Sequence, residues 1–171
     1  MAVKRFDLIQ SINSRGTFVC SKYAIPHLRK SKNPHILTLS PPLYGGNDPN
    51  INWFARLGTG YVLGKYGMTL ITHGLSAELK SDGIACNTLW PRTFIATAAV
   101  ENIVGGKEGM KASRKPEIMG DAAHTILTSQ SRLTTDNFFI DDEVLISNGM
   151  TLGDIDRLYK NDQSIPNHML F

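Results

Sequence analysis

Cysteine is scarce in this chain: Cys20 and Cys86 are the two among 171 residues. Two thiols exclude a disulfide-rich scaffold. Both sit in segments that read as packed, so the expectation is two free buried thiols, with neither a disulfide nor a metal site. The five histidines show no ligand spacing, and no metal is expected from them. Long apolar runs are missing too, since none approaches the ~18 residues a membrane span needs. The opening Met1-Ala2-Val3-Lys4-Arg5-Phe6 holds too short an apolar stretch for a secretory signal. The expected location is therefore intracellular, in a reducing compartment, with no membrane span. Charge of one sign is not in excess. The 18 basic and 15 acidic residues leave a net +3 and are mixed along the chain, which argues against a nucleic-acid partner. A short basic cluster at Arg29, Lys30 and Lys32 reads as a solvated helix end. Neither Gly-x-Gly-x-x-Gly nor the P-loop pattern occurs, and no internal repeat is present.

What is present is one domain's length of chain, 42% hydrophobic, enough for a sizeable core. Residues 7–28 read as a helix, with Asp7 as cap, an imperfect apolar stripe at Leu8, Ile12, Phe18 and Val19, and Pro26 as a kink or end. Asn13 falls inside it, although Asn is a middling-to-poor helix former. Taken alone it reads as a solvent-facing residue. Ile36, Leu37 and Leu39 form a short buried strand. Ser40 ends that strand, and Pro41-Pro42 forbid further pairing. A hydroxyl at the carboxyl end of a buried strand is where open α/β sheets place ligand-contacting groups; the plain alternative is an ordinary strand-ending serine.

Residues 44–51 read as a loop and 52–80 as one long helix. Gly60, Gly64, Gly67 and Gly74 within it cost near 1 kcal/mol each relative to Ala. That many glycines imply close approach by a sheet or another subunit, and apolar residues on both sides imply burial. A turn at Ser81-Asp82-Gly83 leads to a second strand over 84–90, stopped by Pro91. Strand, helix and strand make a βαβ unit with parallel pairing. Beyond it come a loop to Thr97, a short helix at 98–104, a mobile segment at 105–116, a helix at 117–130 and a strand at 137–140. From Gly149 the tail reads as extended or frayed.

Tyr61 and Lys65 are four residues apart, on one face of the long helix if it forms. A phenol with a pKa near ~10 is a poor acid–base group at neutral pH. A neighbouring cation favours phenolate and lowers that value, so a tuned tyrosine can give a proton to an alkoxide or take one from an alcohol. Spacing alone decides little, because roughly 0.3 such Tyr–Lys pairs are expected by chance here.

The company of the pair is more specific. Asn13 in a helix, Ser40 at a strand end, Tyr61-x-x-x-Lys65 and Pro91 after the next strand stand in this order. Together they resemble the catalytic half of a short-chain dehydrogenase/reductase. Ser14-Arg15-Gly16-Thr17, the run His35 to Pro42, Lys65-Tyr66-Gly67-Met68, the run Asn87 to Thr93, and Asp121-Ala122-Ala123 look like the hydroxysteroid dehydrogenase-like branch of that family. The resemblance implies an α/β fold: the C-terminal part of a Rossmann-like parallel sheet flanked by helices, lacking the N-terminal glycine-rich βαβ half. Residues 1–145 are then a partial dehydrogenase domain and 146–171 a C-terminal tail.

The resemblance also implies roles. Tyr61 is the proton donor or acceptor, and Lys65 lowers its pKa and bonds the nicotinamide ribose. Ser40 bonds the substrate carbonyl, and Asn13 holds a water that links Lys65 to solvent. The cofactor is NAD or NADP. Tyr61, Lys65, Pro91, the backbone at Ile95 and the hydroxyl of Thr93 or Thr97 are its candidate contacts, and hydride transfer belongs to the nicotinamide. Arg92 stands where many relatives have Gly. The implied substrate is a small hydrophobic carbonyl or alcohol, lipid- or steroid-like, and the implied location is peroxisomal or mitochondrial, with no targeting signal in these residues. The alternative is a truncated, catalytically inactive isoform acting as an interaction or regulatory subunit. In that reading the 52–80 helix pairs it with a second copy or with a full-length subunit.

Overall fold

The computed structural model describes residues 1–43, 54 and 57–162. The chain divides into two compact units. The first is Met1–Trp90 with Leu127–Phe139, and the second is Pro91–Ile126 with Ile140–Phe171.

The first unit opens on a long helical run: α1 Val3–Gln10, a π-helical turn Ser11–Arg15, and α2 Gly16–Leu28. The backbone stays helical through both junctions, at Gln10, Arg15 and Gly16. The helix therefore begins earlier than Asp7. Its N-cap is Ala2, which makes no side-chain cap bond, so no polar signal marks the start. Pro26 sits in the last turn, and the helix ends at Leu28, two residues on.

Strand β1 His35–Leu39 follows, and β2 Ala85–Trp90 pairs with it in parallel, Leu37 opposite Asn87 and Leu39 opposite Leu89. The crossover helix is α3 Thr59–Glu78, so the βαβ unit forms as its pattern requires. The expected start at Asn52 gives way to Thr59, because Gly58 has φ +97° and cannot continue a helix turn. The loop expected at 44–51, like residues 52, 53, 55 and 56, lies outside the described residues. The sheet order is β1-β2-β3, with β3 Phe138–Ile140. Asp136 N–H donates to Cys86 O and Thr88 N–H to Asn137 O, each at 2.9 Å, which brings the third strand alongside β2.

The core of this unit lies between α3 and the sheet. Leu75, Leu79, Ile84 and Cys86 are buried, with Ile25, Leu28, Ile36 and Ile71 packed on them. The opposite face of α3 meets α1 and the π turn. A Cβ at Gly64 would come within 3.2 Å of Ile9 and 3.3 Å of Asn13; at Gly67 it would meet Ser14 Oγ at 2.2 Å. The close approach read from the glycines is thus made by the chain's own first helix. Gly74 is different, with nothing within 4 Å. Two expectations change. Cys20 is exposed, in a recess that α2 forms with β1, while Cys86 is buried, and both thiols are free. Leu63 and Leu70 on α3 are 50% and 56% exposed, so its second apolar face is open in this chain.

The second unit carries the loop after Pro91, a π-helical turn Val100–Val104, α4 Gly106–Lys111, most of α5 Glu117–Thr128, α6 Asp141–Ser147 and α7 Leu152–Tyr159. Two segments depart from the sequence reading. Residues 105–116 hold a helix, followed by Arg114 bridged to both Ile95 and Lys160. The tail after Gly149 is helical because Thr151 and Asp154 form a reciprocal capping box, which lets Ile155 and Tyr159 bury. Tyr159 then donates to Asp121 at 2.7 Å. No helix among the described residues is long and apolar enough to cross a membrane.

Candidate active site

A polar stripe runs along α3 on the side facing β1. Lys65, Thr69, Thr72 and Ser76 recur at helical spacing, and the last three are buried. Each of the first three is tied to the carboxyl end of β1. Lys65 Nζ donates to Leu39 O at 2.9 Å. Thr69 Oγ1 donates to Pro41 O at 2.6 Å. Thr72 Oγ1 and Thr38 Oγ1 share a hydrogen bond of 2.8 Å. These bonds pin the strand end that carries Ser40. The two prolines after it cannot donate, so side chains of α3 take over where strand pairing stops.

Ser40 is fully buried, and its Oγ has no hydrogen-bond partner among the described residues. An unmatched buried hydroxyl costs of order 1–3 kcal/mol. Among the described residues it is therefore a donor left available to a ligand. Tyr61 lies one turn before Lys65 on α3 and is half-buried. Phe54 sits 5.9 Å from its ring, 5.6 Å from Tyr66 and 5.6 Å from Trp90. The Lys65 ammonium lies 5.7 Å from the Trp90 ring centroid. Burial raises the Tyr61 phenol above its ordinary value and lowers Lys65 below its own. Both groups are thereby pushed toward their neutral forms.

Asn13 occupies the π turn, where the backbone of α1 and α2 bulges against α3. Such turns gather at functional positions. Its Nδ2 donates to Ile9 O at 3.0 Å, and its Cβ lies against Gly64, next to Lys65. Ser14 Oγ donates to Gly64 O at 3.2 Å. The first unit thus brings Asn13, Ser40, Tyr61 and Lys65 to one region, around the carboxyl end of β1 and the first turns of α3.

The remaining sequence candidates belong to the second unit. Arg114 N–H donates to Phe94 O and Ala96 N–H donates to Arg114 O, each at 2.9 Å. This bridge engages residues 94 and 96, and leaves the N–H and C=O of Ile95 facing the other way. Thr93 is buried, with Oγ1 donating to Phe94 O at 3.0 Å. Thr97 is exposed, and its carbonyl starts the following helical turn by accepting Glu101 N–H.

Sequence reading missed what anchors this loop. Arg92 Nε donates to both carboxylate oxygens of Asp142 at 2.9 and 2.8 Å, and Nη2 to Glu143. Arg114 Nη1 donates to Asp142 at 2.9 Å. Asp141 accepts Arg92 N–H and Asp142 N–H. Burial alone would raise Asp142, but the two guanidinium groups outweigh it and hold this carboxyl below its ordinary range. Burial wins at Asp141, which is raised despite its donors. The acidic run and the Arg after Pro91 were visible in the sequence. Their pairing across about fifty residues was not. Among the described residues no group of three or more His, Cys, Asp or Glu is placed to hold a metal.

A family model described as "Enoyl-(Acyl carrier protein) reductase" matches residues 1–128. The chain belongs to the short-chain dehydrogenase/reductase family. It is 43% identical to hydroxysteroid dehydrogenase-like protein 2 of Xenopus laevis, over 99% of this chain and 39% of that protein. A crystal structure from Xanthomonas campestris is 45% identical, with a TM-score of 0.82 over 99% of this chain and 60% of that one. The short chain dehydrogenase of Mycobacterium thermoresistibile gives 44%, a TM-score of 0.79 and cover of 95% and 55%. The ketoreductase LanV, solved with NADP bound, shares the fold at 18% identity and a TM-score of 0.65. The chain thus spans about two fifths of the length of the curated relative and is similar to part of a Rossmann-like dehydrogenase. Its lineage is that of the family's oxidoreductases.

Proposed function

We propose that this chain carries the reaction end of an NAD(P)-dependent oxidoreductase. The reaction interconverts a carbonyl and an alcohol on a hydrophobic, lipid- or steroid-like substrate. The observation that carries this reading is the buried, unpartnered Ser40 hydroxyl beside the carbonyl that Lys65 holds, with Tyr61 one turn away. When bound, the nicotinamide supplies or accepts the hydride.

The chain's own residues do the rest. Ser40 Oγ donates to the substrate oxygen and polarises it. Tyr61 OH gives that oxygen its proton on reduction and takes it back on oxidation. Burial raises Tyr61, so its activation needs the Lys65 ammonium brought to bear on it. Lys65 is held by a single carbonyl, and ribose hydroxyls are acceptors of the same kind. With one of its three N–H groups on that carbonyl, Lys65 would keep the others to hold the ribose hydroxyls of a bound cofactor, and its charge would lower the phenol. Asn13 keeps its amide oxygen for water that links Lys65 to solvent, since its NH₂ already serves Ile9 O. Within the second unit, taken by itself, the outward-facing backbone at Ile95 beside Pro91 suits a carboxamide. Exposed Thr97 is the better hydroxyl candidate than Thr93, which is buried and already bonded. Exposed Leu39 and Leu43 flank Ser40, and with the aromatic group around Phe54 they suit an apolar substrate.

Tyr61→Phe tests the assignment. It should lower turnover by about 10²–10⁴-fold with nicotinamide binding retained. Turnover equal to that of the parent chain would remove Tyr61 from the chemistry.

The second reading is a non-catalytic partner subunit, favoured by the open Leu63 and Leu70 face of α3. An unpartnered apolar helix face fits another copy of the same helix, from this chain or from a full-length relative. It predicts a stable dimer and no cofactor binding.

A further inference from the structure

The amino ends of β1 and β2 frame a recess of about 300 Å³ in the first unit, walled by the end of α2, the turn before β2 and residues 130–132. The walls are cross-linked. Arg29 donates twice to Asp82, at 3.0 and 2.8 Å. Asn33 Nδ2 donates to Leu127 O and Ser129 O, and its Oδ1 accepts Ser131 N–H. Arg29 and Asp82 neutralise each other. Lys32 and Arg132 also line the recess, and neither has a carboxylate or any other hydrogen-bond partner among the described residues.

Cations at this end of an α/β sheet have an ordinary explanation, since helix carboxyl ends gather there and carry partial negative charge. Such cations donate to the last helical carbonyls, as Lys115 does to Leu158 O in the second unit. Lys32 and Arg132 do not. The Arg132 guanidinium instead lies against the backbone of Gly83, whose φ is +70°; a Cβ there would sit 2.6 Å from Arg132 Cζ. Lys32 and Arg132 are both exposed, so their donors are open to a ligand entering from solvent. A lysine offers three N–H groups and an arginine five.

The geometry points to a binding site for a phosphate group, free or as a phosphomonoester, held by Lys32 and Arg132 in this recess. Two cations match a dianion, and a planar guanidinium presents paired donors to its oxygens. The volume suits a small ligand. The site lies at the other end of β1 from Ser40, about 16 Å away along five residues of strand, and it is independent of the catalytic reading.

The test is titration of the full 171-residue chain with inorganic phosphate at constant ionic strength, read from the backbone amide NMR signals of Gly83 and Arg132. Saturable shifts with Kd on the order of 1 mM are expected. Lys32→Gln and Arg132→Gln should each weaken binding by about fivefold, and the double variant should abolish it. Neither side chain makes a bond in the fold, so both variants should fold as the parent does. Asp82→Asn, which frees Arg29, should tighten binding and moves the result the other way. Shifts reproduced by chloride alone, or binding undiminished in the double variant, would overturn the site. A lipid source is separated by vesicles containing phosphatidic acid. The chain should stay in solution with them, and co-sedimentation with no response to free phosphate would overturn a recess for a small ligand.

Discussion

At Lys65 two effects oppose each other. Burial lowers its ammonium, while the Leu39 carbonyl and the Trp90 ring face favour the charged form. The net direction is downward, which matches a lysine that exchanges partners more readily than one locked in an ion pair. Cys86 is a simpler case. Burial first, and then the Asp136 carboxylate, push its thiol up to about 12. Unfolded, it ionises near ~8.5. A folded value raised above the unfolded one gives stability that is fully present below the unfolded value and lost as pH rises through the folded one. Stability of the chain should therefore fall between about pH 8.5 and about 12. Cys86→Ala should flatten that limb, at a cost of about 1 kcal/mol at neutral pH. Urea melts at pH 7, 9 and 10.5 check it. An alkaline limb unchanged by the substitution would show that Cys86 contributes nothing to it.

The α3 helix shows how far a local pattern carries. Its glycines mark a crossing, and three of the four are at it. Gly64→Leu would drive a side chain into Ile9 and Asn13 and should cost about 2 kcal/mol. Gly74→Ala, with open space around it, should stabilise by about 0.5–1 kcal/mol through helix propensity. Thermal melts of the two variants should move in opposite directions. A destabilising Gly74→Ala would mean that this position is covered in solution. The β1–α3–β2 unit was legible because apolar runs, turn residues and prolines agree over it. The start of the first helix was not, since nothing caps Val3, and no residue pattern announces a π turn at Asn13. Helix α7 left a signal that was passed over, the Thr151…Asp154 capping box. Helix α4 left little, because glycine-rich 105–109 argues against helix locally. The paired roles of Arg92, Arg114, Asp141 and Asp142 depend on contacts between distant segments, which periodicity cannot carry.

At the scale of the whole chain, family membership and fold are settled, and the proposed function turns on cofactor binding. The first unit holds Asn13, Ser40, Tyr61 and Lys65, the residues to which the proposed function gives the proton chemistry. Trp90, 5.7 Å from the Lys65 ammonium, is a built-in reporter for whatever binds there. The most direct measurement is titration of the full chain with NADH and NADPH, following quenching of tryptophan fluorescence and the transfer of excitation to the nicotinamide. The oxidoreductase account predicts saturable binding of one of the two at micromolar concentration, weakened by Lys65→Met. No saturation up to millimolar cofactor, together with a stable dimer through α3, would contradict it and leave Asn13, Ser40, Tyr61 and Lys65 as an inherited arrangement on a partner subunit.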